Sequence, residues 1–344
     1  MRKSVGLLMA GIMVLAMVLA SCGPALPEGC KRGDVKVGMV SDVGGIDDAS
    51  FNQNTWEGLK MADEKLDVCA KFIESQAQAD YEKNITEFAE QEYDLIITVG
   101  FLLGDATEKM GKQYPKVNFG IIDYAYDPPI PNVKGIVFNV DEAAFPIGYL
   151  AAGWAVLKDP ADPQIGYVGG MQIPPVEQFI VAYAAGAAYY NQQKGTNVLV
   201  KGVYVGDFEA PDQGKIQGNS LIDEGVDVIF GVGGKTGNGG LTAAKERGKW
   251  GVGVDVDQYF TLPNEKDILI TSCMKRLDNA VYSVVESAAQ GKFTGGDVYV
   301  GTLSNNGVGL APYHDFDNQI PADLKAEIDA IVQGIIAGSI PTGW

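Results

Sequence analysis

The fold class follows from one stretch near the N-terminus, Val35-Lys36-Val37-Gly38-Met39-Val40 and then Ser41-Asp42-Val43-Gly44-Gly45-Ile46-Asp47-Asp48-Ala49-Ser50-Phe51-Asn52-Gln53-Asn54-Thr55-Trp56-Glu57-Gly58. The β-branched run predicts a buried strand. Ser50, with Gln53 three residues later, has the form of a capping box and predicts a helix that begins at Phe51. A turn rich in Gly and Asp joins the two elements. This arrangement places free backbone N–H groups at the carboxyl edge of a sheet, where a small polar ligand can be held.

The same alternation of strand and helix continues along the chain. Strands are predicted for the apolar runs 35–40, 72–75, 95–99, 118–122, 133–140, 164–169, 198–205, 228–232, 250–254 and 268–272. Helices are predicted for 52–66, 81–92, 104–114, 143–157, 175–193, 213–224, 240–247, 278–290 and 322–336. Regular alternation with apolar strands is typical of doubly wound parallel sheets. Because the series restarts near residues 141–161, two similar α/β lobes are predicted. From Lys292 onward the chain lacks this alternation of strand and helix, until the helix predicted for 322–336.

Composition narrows the classes of function. A length of 344 residues allows two domains and a large core. The formal net charge of −18 and the pI of about 4.4 argue against nucleic acid and anionic membrane surfaces as partners. The chain has a single histidine, His314, so acid–base catalysis by imidazole has one candidate.

The first residues are predicted to be a targeting segment that is cleaved from the mature protein. Arg2 and Lys3 precede the apolar run 5–20, and Leu19-Ala20-Ser21-Cys22 resembles the lipobox of bacterial lipoproteins. We expect a signal peptide over 1–22, lipid on Cys22, a tether over 23–34, and a protein anchored to the extracytoplasmic face of the cell membrane. The alternatives are an uncleaved membrane helix, for which the run is short, or a plain secretory signal.

Export would place the remaining cysteines in an oxidising compartment, where a disulfide can persist. Cys30 precedes the first predicted strand and Cys69 precedes the second. Adjacent parallel strands start at the same sheet edge, so a Cys30–Cys69 bridge is predicted, with two unpaired thiols as the alternative. Cys273 is predicted to be a buried free thiol. No spacing resembles a zinc site, and no metal is predicted.

The predicted strand ends share a chemical theme, with Gly for backbone approach, Asp for hydroxyl groups and Phe for stacking. Asp123 and Asp255 end strands in different lobes and suit a ribose-type diol. Phe51 and Phe208, one in each lobe, could enclose a flat ring. The alternatives are that each Asp only caps a helix and that each Phe only covers the core.

The run Gly233-Gly234-Lys235-Thr236-Gly237-Asn238-Gly239-Gly240 suggests a phosphate loop. Its Lys-Thr pair comes too early for the Gly-x-x-x-x-Gly-Lys-Ser/Thr order. An exported protein also lacks a cytosolic ATP supply. The acidic residues of the opening turn would repel a phosphate, so a ligand without a phosphate group is preferred.

Several ordered motifs together carry a family resemblance. The opening stretch, with Asp42-Val43-Gly44, Asp48 to Gln53 and Trp56-Glu57-Gly58, resembles the first motif of the basic membrane protein family of substrate-binding lipoproteins, which includes purine nucleoside receptors. Further matches are 169–171 with 175–176 and Phe179, 225–230, 236–239, 253–258 and 274–278. The resemblance extends from Val35 to about Leu310.

The resemblance implies a type I periplasmic-binding-protein fold, with two Rossmann-like lobes and a ligand cleft between them. It implies an N-terminal lobe of residues 35–139 and 275–304 and a C-terminal lobe of residues 140–274 and 305–344. The chain would cross between the lobes near residues 138–141, 273–275 and 303–306. A departure from the family pattern is Tyr183-Ala184-Ala185-Gly186, where an apolar stretch leaves the ligand open.

The resemblance also implies the ligand-binding residues, which are Asp48, Phe51, Asn52, Asp123, Phe208, Gly234, Asp255 and Lys275. Phe51 and Phe208 would stack on a base, with Phe179 as a ring that competes with Phe208. Asp123 and Lys275 would bind ribose hydroxyls, and Asp255 or Asn52 would read polar edges of the base. No catalytic residue and no cofactor are expected.

The function so predicted is capture of a nucleoside, with purines favoured, by cleft closure and delivery to an ABC permease, by a monomeric protein that is not an enzyme. Two alternatives from other classes remain. One is an exported nucleoside hydrolase that uses Asp42, Asp47 and Asp48 around a metal. The other is a ligand-sensing ectodomain that signals through a partner.

Overall fold

The structure is a computed structural model that describes residues 30, 31 and 33–344. The predicted signal peptide, the lipid-bearing Cys22 and most of the predicted tether lie outside the described residues. Within the described part, no helix is long and apolar enough to cross a membrane.

Strands and helices alternate along the described chain. The strands are β1 Val35–Val40, β2 Val68–Ile73, β3 Leu95–Thr98, β4 Asn118–Ile122, β5 Val133–Phe138, β6 Gln164–Gly169, β7 Leu199–Tyr204, β8 Val228–Val232, β9 Trp250–Asp255, β10 Leu269–Lys275, β11 Val298–Gly301 and β12 Val308–Leu310. The helices are α1 Phe51–Lys65, α2 Tyr81–Glu90, α3 Gly104–Gln113, α4 Val140–Lys158, α5 Pro174–Lys194, α6 Pro211–Asp223, α7 Gly234–Glu246, α8 Gln258–Thr261, α9 Leu277–Ala289 and α10 Ala322–Ile336.

The strands form two six-stranded sheets, each the centre of one α/β lobe. The first sheet has the order β11-β5-β4-β3-β1-β2, and all its pairs are parallel. The second has the order β12-β10-β9-β8-β6-β7, in which only β12 runs antiparallel to its neighbour β10. Apolar central strands buried between helices produce this doubly wound arrangement, and the predicted fold class is confirmed. The residue limits of the lobes stay a prediction.

Sequence-based expectation and structure differ at β2, α7, β11 and β12. The second strand begins at Val68, so Cys69 lies inside β2 opposite Lys36 of β1 rather than before it. Helix α7 begins at Gly234 instead of residue 240, because its glycines allow close contact with α6 that outweighs their low helix propensity. Strands β11 and β12 were not predicted, since both are short edge strands that depend on their neighbours.

The cysteines differ in environment. Cys30 and Cys69 form a disulfide with their Cα atoms 5.4 Å apart, which joins the segment before β1 to β2. Cys273 is free and fully buried in β10. Burial raises the pKa of its thiol well above the usual value, so it stays protonated and behaves as a small apolar side chain.

Helices α4 and α5 form the closest helix pair of the second lobe. A Cβ atom at Gly148 of α4 would overlap the carbonyl oxygen of Tyr183, and one at Gly186 of α5 would overlap the carbonyl oxygen of Phe145. The two glycines therefore let the helix backbones touch. The stretch 183–186, which departs from the family pattern, belongs to this contact.

We expect Gly186→Ala to destabilise the protein by about 1–3 kcal/mol, the range for overpacked cores. Gly309→Ala is the control, because a Cβ atom there meets nothing within 4 Å. Urea denaturation of both variants measures the difference. Equal unfolding free energies would show that the α4–α5 contact is not tightly packed.

Candidate ligand-binding site

A cavity lies between the two sheets, at the carboxyl ends of their strands. Its volume is about 60 Å³, several times the roughly 10–15 Å³ that one water requires. The lining residues are Asp42, Gly44, Asp48, Phe51, Asn52, Gly100, Phe101, Leu102, Asp123, Ile173, Pro175, Val176, Phe179, Phe208, Val232, Gly233, Gly234, Val254, Asp255 and Lys275. Both lobes contribute, so the cavity exists because the lobes are closed.

All eight residues predicted to bind ligand line this single cavity. That they contact a ligand stays a prediction. The structure adds residues that were not assigned to the site, above all Asp42, Phe101 and Phe179. Asp42 carried a usable signal, because it follows β1 as Asp123 follows β4. The apolar residues Ile173 and Val176 carried none that distinguishes them from core residues.

Lys275, the last residue of β10, carries the one positive charge among the residues that line the cavity. Its ammonium lies 2.5 Å from Oδ2 of Asp123, which follows β4 in the other sheet. The same nitrogen lies 4.8 Å from the ring centroid of Phe51, 5.3 Å from that of Phe138 and 5.8 Å from that of Phe179. Lys275 is 2% exposed. The charge is thus held by one carboxylate and by the faces of aromatic rings.

Asp123 and Asp255 hold corresponding positions at the ends of β4 and β9. Both have a φ of +63°, in the left-handed region that few residues other than Gly, Asn and Asp adopt. This conformation occurs at strand ends in both lobes. Strained backbone of this kind persists where the surrounding structure enforces it, often at functional sites.

Helix α1 begins at Phe51 as predicted, but the capping box is wrong. The Ser50 hydroxyl makes no bond to the helix N-terminus. Asp48 replaces it, because its carboxylate accepts the backbone N–H groups of Ser50, Asn52 and Gln53 at 2.8–3.1 Å. The Ser50 hydroxyl instead donates to Oδ2 of Asp255 in the other lobe, at 2.5 Å. A helix cap and a bond between lobes thus come from adjacent residues.

Asn52 has one polar atom free. Its amide nitrogen donates to Asp42 at 2.8 Å and to Asp48 at 3.2 Å. Its Oδ1 atom is buried without a hydrogen-bond partner among the described residues. A buried acceptor left unpaired costs free energy, so this oxygen is a place for a donor on a ligand.

Burial also changes the acidity of the carboxyl groups in the cavity. Loss of solvation raises the pKa of Asp42 to about 6 and that of Asp48 to about 7, although both accept hydrogen bonds. Burial raises the pKa of Asp255 as well, and Lys275 and the Ser50 hydroxyl oppose the shift. Asp42 and Asp48 can therefore exchange protons with a polar ligand near neutral pH.

The glycine turns of the second lobe make room for an aromatic ring. A Cβ atom at Gly170 would overlap the ring of Phe208, and one at Gly233 would come within 3.4 Å of it. Phe208 is thereby seated over backbone at the cavity wall. Phe179 lines the same cavity, so the two competing rings both belong to it.

The glycine-rich run 233–240 forms the start of helix α7, and its polar groups have partners that leave little for a phosphate. The backbone N–H of Thr236 donates to the carbonyl oxygen of Phe208 at 3.1 Å. The Lys235 ammonium pairs with Asp47 at 2.6 Å and with Glu209 at 3.0 Å, outside the cavity lining. The glycines serve close packing rather than anion binding.

The carboxylates proposed for a hydrolase also have other partners. Asp47 is exposed and pairs with Lys235, while Asp42 and Asp48 accept hydrogen bonds from backbone and from Asn52. Among residues 30, 31 and 33–344, no group of His, Cys, Asp and Glu side chains has the arrangement of a metal site.

The departure at residues 183–186 does not reach the cavity. Tyr183 is fully buried and lies against Phe230, with ring centroids 5.0 Å apart. None of the four residues lines the cavity. The departure therefore concerns helix packing and says nothing about the ligand.

Two α/β lobes that close around a cavity at their strand ends define a solute-binding protein of the kind that serves ABC transporters. The family model described as ABC transporter substrate-binding protein PnrA-like matches residues 35–342. The chain belongs to this family, which confirms the resemblance noted in the sequence.

Individual proteins agree with this assignment. A Lactococcus lactis protein named ABC transporter nucleoside-binding protein BmpA is 31% identical over 352 residues, 96% of this chain and 97% of that protein. An uncharacterized lipoprotein of Pyrococcus furiosus is 31% identical over 317 residues, 90% of this chain and 77% of its own. A solved solute-binding protein of an ABC transporter system from Aeropyrum pernix superposes with a TM-score of 0.83 at 31% identity, covering 89% of this chain and 92% of that one.

The raised pKa of Asp42 predicts a pH dependence of stability. Because the folded-state pKa of about 6 exceeds the ordinary value of 3.8 that the unfolded chain has, the folded protein binds more protons than the unfolded chain between these values. The contribution of Asp42 to the free energy of unfolding therefore falls as pH rises from about 4 to about 6. Asp42→Asn keeps an acceptor for Gly44 N–H and removes the titration.

We expect ligand-free Asp42→Asn to lose less stability than the wild type between these pH values. Urea denaturation across the range measures the slope. Asp212→Asn, at an exposed position of α6, serves as control and should keep the slope of the wild type. An Asp42→Asn variant with the same slope would contradict the buried, protonatable state.

Proposed function

We propose that the protein binds a nucleoside, with purines preferred, in the cavity between its lobes and delivers it to the membrane permease of an ABC transporter. One observation carries this proposal. Aromatic rings from both lobes and buried carboxylates beside Lys275 line the same closed cavity. A flat base needs apolar faces, and a ribose needs hydrogen-bonding groups.

The polar groups fall into two sets that suit the two halves of a nucleoside. Asn52 Oδ1 is an unpaired acceptor, and Asp42 and Asp255 are further acceptors for N–H groups of a base. Asp123 and Lys275 form an acceptor and donor pair for ribose hydroxyls. Each ligand hydroxyl can then donate to one member and accept from the other.

The charge of the cavity favours an uncharged ligand. Four carboxyl groups line it, those of Asp42, Asp48, Asp123 and Asp255, against the single ammonium of Lys275. A phosphate placed here would meet acidic groups at low dielectric, where like charges repel strongly. The nucleoside is therefore preferred to the nucleotide.

Capture requires the lobes to move. A ligand that contacts both lobes stabilises the closed form over the open one and shifts their equilibrium. The closed form would be the one that docks on the permease. No covalent step is needed, and membership in a substrate-binding family agrees with a protein that is not an enzyme.

The place of action is the extracytoplasmic face of the cell membrane. Lipid on Cys22 would anchor the chain there as a monomer, and a relative that is named a lipoprotein supports this part of the proposal. The nucleoside follows from the cavity and from the name of the Lactococcus lactis relative.

Thermal shift with adenosine, guanosine, inosine, sugars and amino acids tests the ligand class. We expect stabilisation by purine nucleosides alone. Phe51→Ala should weaken binding about tenfold or more, because stacking and buried aromatic area are lost. Phe72→Ala is the control, since its ring packs on Trp56 outside the cavity lining. Absence of stabilisation by any nucleoside would refute the ligand assignment.

A second measurement compares a nucleoside with its 5′-monophosphate. We expect the phosphate to weaken binding about a hundredfold or more, because a dianion enters a cavity with excess carboxylate. Isothermal titration calorimetry at one ionic strength gives both dissociation constants. Equal affinities would contradict the charge argument.

A further inference from the structure

The turn Asp48–Ser50 of the first lobe is held by side chains of the second lobe. The carbonyl oxygen of Ala49 accepts hydrogen bonds from Thr261 Oγ1 at 2.9 Å and from Gln258 Nε2 at 3.3 Å. The carbonyl oxygen of Asp48 accepts one from Asn238 Nδ2 at 2.9 Å. Three donors of one lobe thus converge on two consecutive carbonyl groups of the other.

The backbone of this turn is bent to present those carbonyl groups. Ala49 has a φ of +56°, which is unfavourable for alanine and persists only where neighbours enforce it. The Asp48 carboxylate fixes the start of the following helix by accepting the N–H groups of Ser50, Asn52 and Gln53. The Ser50 side chain is therefore free to donate to Asp255.

Two of the donors, Gln258 and Asn238, are oriented by hydrogen bonds within their own lobe. Gln258 is fully buried, and its Oε1 atom accepts the N–H of Val254 at 3.0 Å. Its Nε2 atom also reaches Oδ1 of Asn238 at 3.1 Å. Since these groups are oriented by β9 and α7, closure brings them to the turn without further ordering of the side chains.

None of the three donors lines the cavity, whereas Asp48 and Asp255 both do. We propose that Asn238, Gln258 and Thr261 are positioning residues, which set ligand affinity by fixing the turn and through it the Asp48 and Asp255 carboxyl groups. This rests on the proposed function, because affinity for a ligand in this cavity is the quantity set. When the lobes open, all of these bonds between lobes are lost together.

The hydrogen bonds from Asn238, Gln258 and Thr261 to the turn stabilise the closed state, although none of these three residues lines the cavity. A typical net hydrogen bond corresponds to about a two- to tenfold change in an equilibrium constant. Loss of one donor therefore lowers the closed population, and with it the observed affinity, by this factor. The change belongs in the dissociation rate, because the bonds form only on closure.

Thr261→Val tests the proposal, because it removes one donor at nearly constant shape. Inosine, guanosine and adenosine serve as probes in stopped-flow binding. We expect the dissociation rate to rise about two- to tenfold with the association rate little changed. Thr261→Ser keeps the hydroxyl and should restore the wild-type rate. Thr196→Val is the matched control, because its hydroxyl donates to Oδ1 of Asn191 within the second lobe and to none of the residues that hold the turn.

A second readout needs no ligand. Spin labels at Lys83→Cys and Ser220→Cys, exposed positions on α2 and α6, report the distance between the lobes by double electron–electron resonance. We expect Thr261→Val and Asn238→Ala to increase the open fraction, and Thr261→Ser and Thr196→Val to leave it unchanged. If the wild-type protein binds no nucleoside but the variants still change the open fraction in this way, the proposed ligand is refuted and the positioning role is supported. Unchanged distances and unchanged dissociation in Thr261→Val would overturn the positioning role.

Discussion

The architecture of the site depends on one buried charge. Lys275 is the last residue of a strand of the second sheet, yet the one carboxylate within hydrogen-bonding distance of its ammonium in the described part of the chain is that of Asp123, which follows a strand of the first. An ammonium at 2% exposure is tolerated only when it is paired. The rings of Phe51, Phe138 and Phe179 exclude water around it while offering their negative faces. The pairing ties the two sheets together at the point where the chain crosses between them, and the cavity forms beside it.

Much of the fold could be predicted because central parallel strands are continuous apolar runs. β1, β4, β6 and β8 have the predicted limits for that reason. Elements that depend on their neighbours could not be located so well. α7 starts six residues earlier than its sequence suggests, because its glycines fit against α6. β11 and β12 are edge strands whose formation is decided by the sheet they join.

The site was predicted as a set of positions better than as a set of roles. The carboxyl ends of parallel strands lie at one edge of a sheet. The polar and aromatic residues that follow the predicted strands therefore include many of those that line the cavity. The role of each atom depends on three-dimensional neighbours that no spacing encodes. The Asp48 carboxylate accepts a hydrogen bond at the N-terminus of α1, and the Ser50 hydroxyl donates one to Asp255 of the other lobe. Asp42 completes the site from the first strand end, next to the unpaired oxygen of Asn52.

The left-handed backbone of Asp123 and Asp255 limits how this cleft can change. At a φ of +63° glycine is accommodated without strain and asparagine or aspartate at modest cost. A β-branched residue at either strand end would be strained. Change in the cavity is therefore directed away from these two positions, toward the apolar wall at Phe101, Ile173 and Val176, whose φ angles lie outside this region. The carboxyl groups at the two strand ends are fixed by their backbone, whereas the shape of the apolar wall is free to vary.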